Sequence, residues 1–361
     1  MWMLFGYSLS FGPDHGGVIG DFSWFGLEGV SLTEPYIEGQ GIPNMVFCLF
    51  QMMFAVITPA LITGSVAGRM KFKSLFTFLV LWSFVVYYPM AHMVWGDGGF
   101  LAKIGSVDFA GGNVHISSGI TALTLCILLG KRYDYKRANY KIHNTPMVAL
   151  GAFILLFGWF GFNAGSALAA DGLAAHAFVT TAVSSAAAML SWMFCDVVVN
   201  KKPTFVGACT GMVAGLVGIT PGAGFVPVWA ALIIGLTTSP ICFFMISWVK
   251  EKFGYDDALD AFGCHGVGGI WGGICTGLFC KVSINDIGQG NGLFFGDTHL
   301  FLAQLASIGI TIVVSVAGTL ICYGITRLVT GKIRVTEREE RVGLDRSQHG
   351  ESAYPSFNGL D

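Results

Sequence analysis

Charge is what this sequence has least of. Asp, Glu, Lys and Arg make up only 12% of the chain, against about 25% in soluble domains, which excludes a large water-facing surface. Basic residues are missing altogether before Arg69, although that stretch holds Asp14, Asp21, Glu28, Glu34 and Glu38. The nine cysteines contain no CxxC pair and lie within or beside apolar runs, so they read as small packing residues and not as disulfides or a metal centre. An HExxH or comparable ligand spacing is absent too, which argues against a membrane metalloenzyme. There is no low-complexity linker and no second soluble domain, and no cofactor or nucleic-acid partner is implied.

What is abundant is apolar. Hydrophobic residues are 53% of the 361 and the mean hydropathy is +0.65. Runs long enough to cross a bilayer, roughly 17 to 25 residues, recur at 45–67, 74–95, 113–130, 146–170, 175–199, 204–220, 226–249, 262–280 and 300–329. A partial tenth covers Met1 to Phe11. The runs are too long for the alternating strands of an outer-membrane barrel, so the expectation is an all-α polytopic membrane protein with nine full spans. Residues 1–330 form its membrane domain. Of the 20 basic residues, all but Lys103 and Lys281 fall in alternate loops, in the positions 69–73, 131–141, 201–202, 250–252 and 327–346. By the positive-inside rule that face is cytoplasmic, which makes the acidic opening loop external. The segment 331–361 turns charged and polar and reads as a cytoplasmic tail. It is either a solvated, partly disordered end or a docking element, and composition favours the former.

Within the apolar runs stand two histidines, His115 and His265. An ionisable ring at membrane depth is costly and marks a pathway or a packed polar pair, although a lone histidine is more often a hydrogen-bonded core residue. His92, His143 and His176 keep that plainer reading. Glycines at every fourth position, Gly207, Gly211 and Gly215, then Gly269, Gly273 and Gly277, place small residues on one helix face for close packing. The segments DFAGGNVHISSG, opened by Asp108, and DAFGCHGVGG, opened by Asp260, echo each other. Each has an acid, small residues, a histidine and a glycine four residues later. They enter the membrane from opposite sides, as an inverted repeat requires.

These residues and their neighbours resemble the ammonium transporter superfamily of Amt, Mep and Rh proteins. The resemblance runs from about residue 4 to 354. It rests on GYSLSFG at the start, AHMVWG at 91–96, DFAGG at 108–112, GWFGFNAGSA at 158–167, FGCHGVGG at 262–269, and GLD with HGESAY in the tail. The family has eleven spans, whereas here the first is absent and only the end of the second remains, as a misplaced start, a truncation or a fragment would give. The family pattern also has one more residue between the positions of Asp108 and His115.

The resemblance implies an outer site for ammonium formed by Trp95, Ser166 and Phe54 with Asp108 nearby, and below it a gate of Phe54 and Phe162. Next comes a pore with His115 and His265 facing each other, and Trp159, Asn163 and Thr220 in its wall. Without the resemblance, Trp95 reads as a membrane-interface aromatic, and any single phenylalanine as lipid-facing packing. Asp108 has two readings of equal weight, an electrostatic partner of the cation and the cap of the helix that follows. An intact cation in an apolar pore is costly, so the implied mechanism captures ammonium, removes its proton and passes ammonia. A homotrimer in the plasma or inner membrane is implied, with methylammonium as a substrate analogue and a PII-class protein as a regulatory partner of the tail and internal loops. The alternatives are an Rh-like channel for neutral ammonia or carbon dioxide, which the presence of Trp95 and Ser166 disfavours, and a sensor with little flux.

Overall fold

A computed structural model describes residues 1–137, 142–288 and 290–354; Lys141 and the end of the expected tail, 355–361, lie outside them. Among the described residues every named element is helical. A π turn, Trp2–Gly6, continues into α1 (Tyr7–Phe11), followed by α2 (Asn44–Val66), α3 (72–95), α4 (Gly112–Leu129) and α5 (Thr145–Ala167). Then come α6 (Gly172–Asn200), α7 (Phe205–Gly222), α8 (Val228–Phe253), α9 (262–279), α10 (Thr298–Thr330) and a short α11 (Glu337–Val342). The multi-pass architecture expected from the sequence is present. Eight described helices are long and apolar enough to span, one fewer than the nine expected. The difference is the run 262–280: it is helical as α9, but its glycines dilute its hydropathy and its first turn, Phe262–Gly266, is widened to a π turn. The partial run at Met1 to Phe11 is the π turn with α1.

Side-chain caps fix where several helices begin. Asn144, Asp171, Thr204 and Asp297 each accept a backbone N–H from the first turn that follows, satisfying donors that a helix start leaves unpaired. Burial then sorts the helices into layers. In α4 78% of the span is buried and in α7 72%, whereas α5 buries 17%. A helix that is apolar all round and enclosed by others forms the interior. α5 turns Phe153, Ile154 and Phe157 outward, where they are exposed.

Two close approaches set the interior geometry. Gly207, Gly211 and Gly215 of α7 face Asp196, Trp192 and Ala188 of α6, with no room for a side chain. Where α4 meets α9, a methyl group on Gly119 would stand 2.2 Å from the backbone nitrogen of Gly266. The backbones therefore touch, and His115 and His265 lie beside the contact.

On the face that carries the basic loops, Arg69 and Arg132 converge on the buried Asp256, Arg132 through two bonds of 2.8 and 2.6 Å. Within the described residues, the start of the tail is bonded to this face. Lys71 N donates to Ile333 O at 2.9 Å, Val335 N to Arg69 O at 3.0 Å and Arg334 to Leu129 O at 3.0 Å. The Arg334 guanidinium also lies 4.5 Å above the Tyr133 ring and pairs with Glu340. Composition alone pointed to a solvated end because the partners that receive these groups are far away in sequence.

Candidate functional site

A cavity of about 830 Å³ opens on the face opposite the basic loops, among the N-terminal end of α2, the loop 36–41, Trp95 and the C-terminal end of α5. Glu38, Asp171 and Asp286 line it, and none of its lining residues is basic, so its field favours cations. Phe54 forms its floor, and Phe162 stacks against that ring, with centroids 4.2 Å apart and planes inclined by 26°. Trp95 stands edge-on to Phe54 at 5.4 Å, held by its Nε1 donating to Asp108 O at 2.9 Å. It is thus part of the cavity wall. Ser166 lies in the 3₁₀ turn that ends α5 and donates to Phe162 O at 3.0 Å. That bond uses the hydroxyl hydrogen and leaves the oxygen free to accept.

Asp108 combines its two expected roles in an unequal way. Its carboxylate accepts from the backbone nitrogens of Gly111, Gly112 and Asn113 at 2.7, 2.7 and 2.9 Å, so the acid caps α4. It also borders the cavity, but the described acceptor sites are turned to the helix start.

Below the phenylalanine pair lies the histidine pair. His115 and His265 are joined through their Nδ1 atoms at 3.3 Å, with ring centroids 5.3 Å apart. His115 stacks on Trp159 at 5.3 Å and 16°, and its buried Nε2 has no partner among the described residues. Which ring donates depends on the tautomer, and the single Nδ1 link needs one donor and one acceptor. Trp159 is fixed in turn by donating to Thr220 Oγ1 at 2.8 Å, and Thr220 donates to Leu216 O. Asn163 is fully buried and donates to Thr181. The structure brings Trp159, Asn163 and Thr220 together, as a hydrogen-bonded support behind the stacked rings.

The sequence echo needs one correction. Asp260 is not the counterpart of Asp108: it has a left-handed backbone and pairs with Lys250 at 2.6 Å. The counterpart is Asp257, whose carboxylate accepts from Phe262 N, five residues on, as Asp108 does from Asn113 N. The acid nearer the histidine in sequence obscured it. The motifs also passed over Thr181 and Gln51. Gln51 lines the cavity, and its sequence signal is a polar residue inside the apolar run FCLFQMMF. His92 bonds Ser10 O and Asp14, and His176 bonds Val226 O, in keeping with packed, hydrogen-bonded rings.

An enclosed imidazole pair beneath an aromatic floor, itself at the bottom of a cation-attracting cavity, in a multi-pass helical bundle, defines a membrane transport protein. The chain belongs to the ammonium transporter family: the sequence model of the Ammonium Transporter Family matches residues 1–354. It is 48% identical to the ammonium transporter of Bacillus subtilis strain 168 over 98% of this chain and 86% of that protein. Ammonium transporter Amt1 of Archaeoglobus fulgidus is 41% identical over 98% and 86%. Among solved structures, Mep2 of Saccharomyces cerevisiae superposes with a TM-score of 0.85 at 35% identity, covering 93% of this chain and 76% of that one. A protein described as a sensor Amt protein shares the fold at 27% identity and a TM-score of 0.85, with 96% and 85% covered.

Proposed function

We propose that this chain transports ammonium across a cell membrane by taking the ion apart. The observation that carries the reading is the succession of neighbouring parts: the acid-lined cavity with Trp95 and Ser166, the Phe54–Phe162 stack, and then the joined His115 and His265, with His115 6.3 Å from the Phe162 ring. Ammonium in the cavity is attracted by the faces of Phe54 and Trp95, worth about 0.5 to 2 kcal/mol as water leaves. The Ser166 oxygen accepts one of its four N–H groups. Below the stack an intact cation would lose its hydration without a counter-charge. The ion therefore gives up a proton near the stack, and ammonia passes along the histidines, whose neutral rings offer a weak acceptor and donor edge to it. Asp108 serves this site by holding the start of α4 and, through its carbonyl, Trp95.

The basic loops support a plasma or inner membrane location with the tail on the cytoplasmic side. The outward apolar face of α5 fits burial in a homotrimer with one pore per subunit. A PII-class protein is the partner we propose for the tail and adjoining loops; copurification under nitrogen-replete conditions that recovers none removes that proposal. The Rh-like reading loses support because both Trp95 and Ser166 border the cavity.

The test is solid-supported membrane electrophysiology on the purified protein with ammonium and methylammonium pulses. Saturable currents are expected. Ammonia-driven pH changes without current would instead mark a neutral gas channel, and neither response would mark a sensor.

A further inference from the structure

The outer cavity contains a polar group that the reading above leaves unused. Gln51 precedes Phe54 by three residues on α2, so both lie on one helix face, with Gln51 about one turn nearer the helix start. Phe47, Phe50 and Phe54 line the cavity from the same helix, and an aliphatic side chain would complete such a wall without any polar cost. A carboxamide stands there instead. It is only 6% exposed, it lines the cavity, and its Oε1 is buried with no hydrogen-bond partner among the described residues. A buried carbonyl oxygen left unpaired is destabilising unless something else supplies a donor. The cavity indicates which donor. Its charged lining is acidic, from Glu38, Asp108, Asp171 and Asp286, so its field favours a cation. With the carbonyl unbonded, a turn of the terminal amide exchanges its oxygen and nitrogen, and a cation selects the oxygen.

We propose that Gln51 is a further binding residue of the outer site, its carboxamide oxygen accepting an N–H from the ammonium ion held against Phe54 and Trp95 while Ser166 accepts another. This rests on the outer-site reading above and adds to it an acceptor that sets affinity. Aromatic faces attract any small monovalent cation. Two directed acceptors on different helices favour one that carries several N–H donors, so tetramethylammonium, which has none, gains nothing from Gln51.

The experiment compares saturable ammonium currents from the parent, Gln51→Leu, Gln51→Glu and Trp95→Leu proteins in proteoliposomes. In Gln51→Leu the half-saturating concentration is expected to rise roughly tenfold, as for loss of one hydrogen bond to a charged group, with maximal current per protein little changed. Gln51→Glu, which keeps the acceptor, is expected to match the parent or saturate at lower concentration. An unchanged half-saturation in Gln51→Leu beside a raised one in Trp95→Leu overturns the role of Gln51 and leaves the outer site standing. If neither substitution moves it, the outer-site reading falls and takes this proposal with it. Lower maximal current in Gln51→Leu with unchanged half-saturation assigns Gln51 to packing alone and also overturns the proposal. Should the Leu protein fail to insert, Gln51→Met, of similar length and without a carbonyl, carries the same expectation.

Discussion

Asp108 and His265 separate support from chemistry at the scale of single residues. Asp108 satisfies three backbone donors at the start of α4, so Asp108→Ala is expected to lower stability by about 1 to 2 kcal/mol and to reduce transport with it. Thermal unfolding in detergent, measured beside ammonium uptake, checks that the two losses travel together. His265→Ala removes one half of the Nδ1 link without removing any cap. Expression and melting are then expected to hold while the preference for ammonium over potassium declines, read from currents in the two ions. An unchanged preference would remove the histidines from the passage that admits ammonia and refuses an intact cation. That His115 and His265 would meet, with Phe54 and Phe162 stacked nearby, was legible in the sequence, because an ionisable ring inside an apolar run is conspicuous and the motifs name its neighbours. Gln51 and Thr181 were not: one polar residue on a long helix acquires meaning only when the aromatic wall or the Asn163 amide beside it is known.

The arrangement of α4 and α9 is decided at the scale of elements by the Gly119–Gly266 contact. A methyl group there has no free volume to enter, and overpacking costs about 1 to 3 kcal/mol. Gly119→Ala is therefore expected to lower the melting temperature and transport more than Gly151→Ala in α5, where nothing lies within 4 Å of the added carbon. Differential scanning fluorimetry on the two variants separates them. The sequence pattern revealed that glycine faces exist, since their four-residue spacing is a helix period. It did not reveal the crossing point, because Gly119 and Gly266 belong to neither of the two repeating rows. The ninth span shows a related limit. Hydropathy summed along α9 falls short for the same glycines that let it pack at the centre of the bundle.

The face of basic loops gathers buried carboxylates of opposite tendency at the scale of the whole molecule. Burial pushes the Asp257 carboxyl up to about 6 from 3.8, against the opposing Phe262 amide and with Asp260 adding to the rise. A raised carboxyl in the folded protein binds its proton more tightly than the unfolded chain does. Its contribution is therefore full below about 4 and is lost as pH rises through about 6. The melting temperature of the parent relative to Asp257→Asn is expected to fall between about pH 4.5 and about pH 7.5, and an equal difference at both would place the carboxyl near its ordinary value. Asp256 has the opposite sign: burial would raise it, but Arg132 and Arg69 hold it below the usual carboxylate range, so its share of stability persists above 3.8 and is lost as pH falls through the lowered value.

The tail's route across this face ties distant parts together. Residues 333–335 are fastened on one side to Arg69 and Lys71, just past the end of α2, and on the other to Leu129, the last residue of α4. The first of those helices carries Phe54 and the second His115. The short run of chain is thus a drawcord through two hems: three residues of the tail hold together the far ends of the two helices that bear Phe54 and His115.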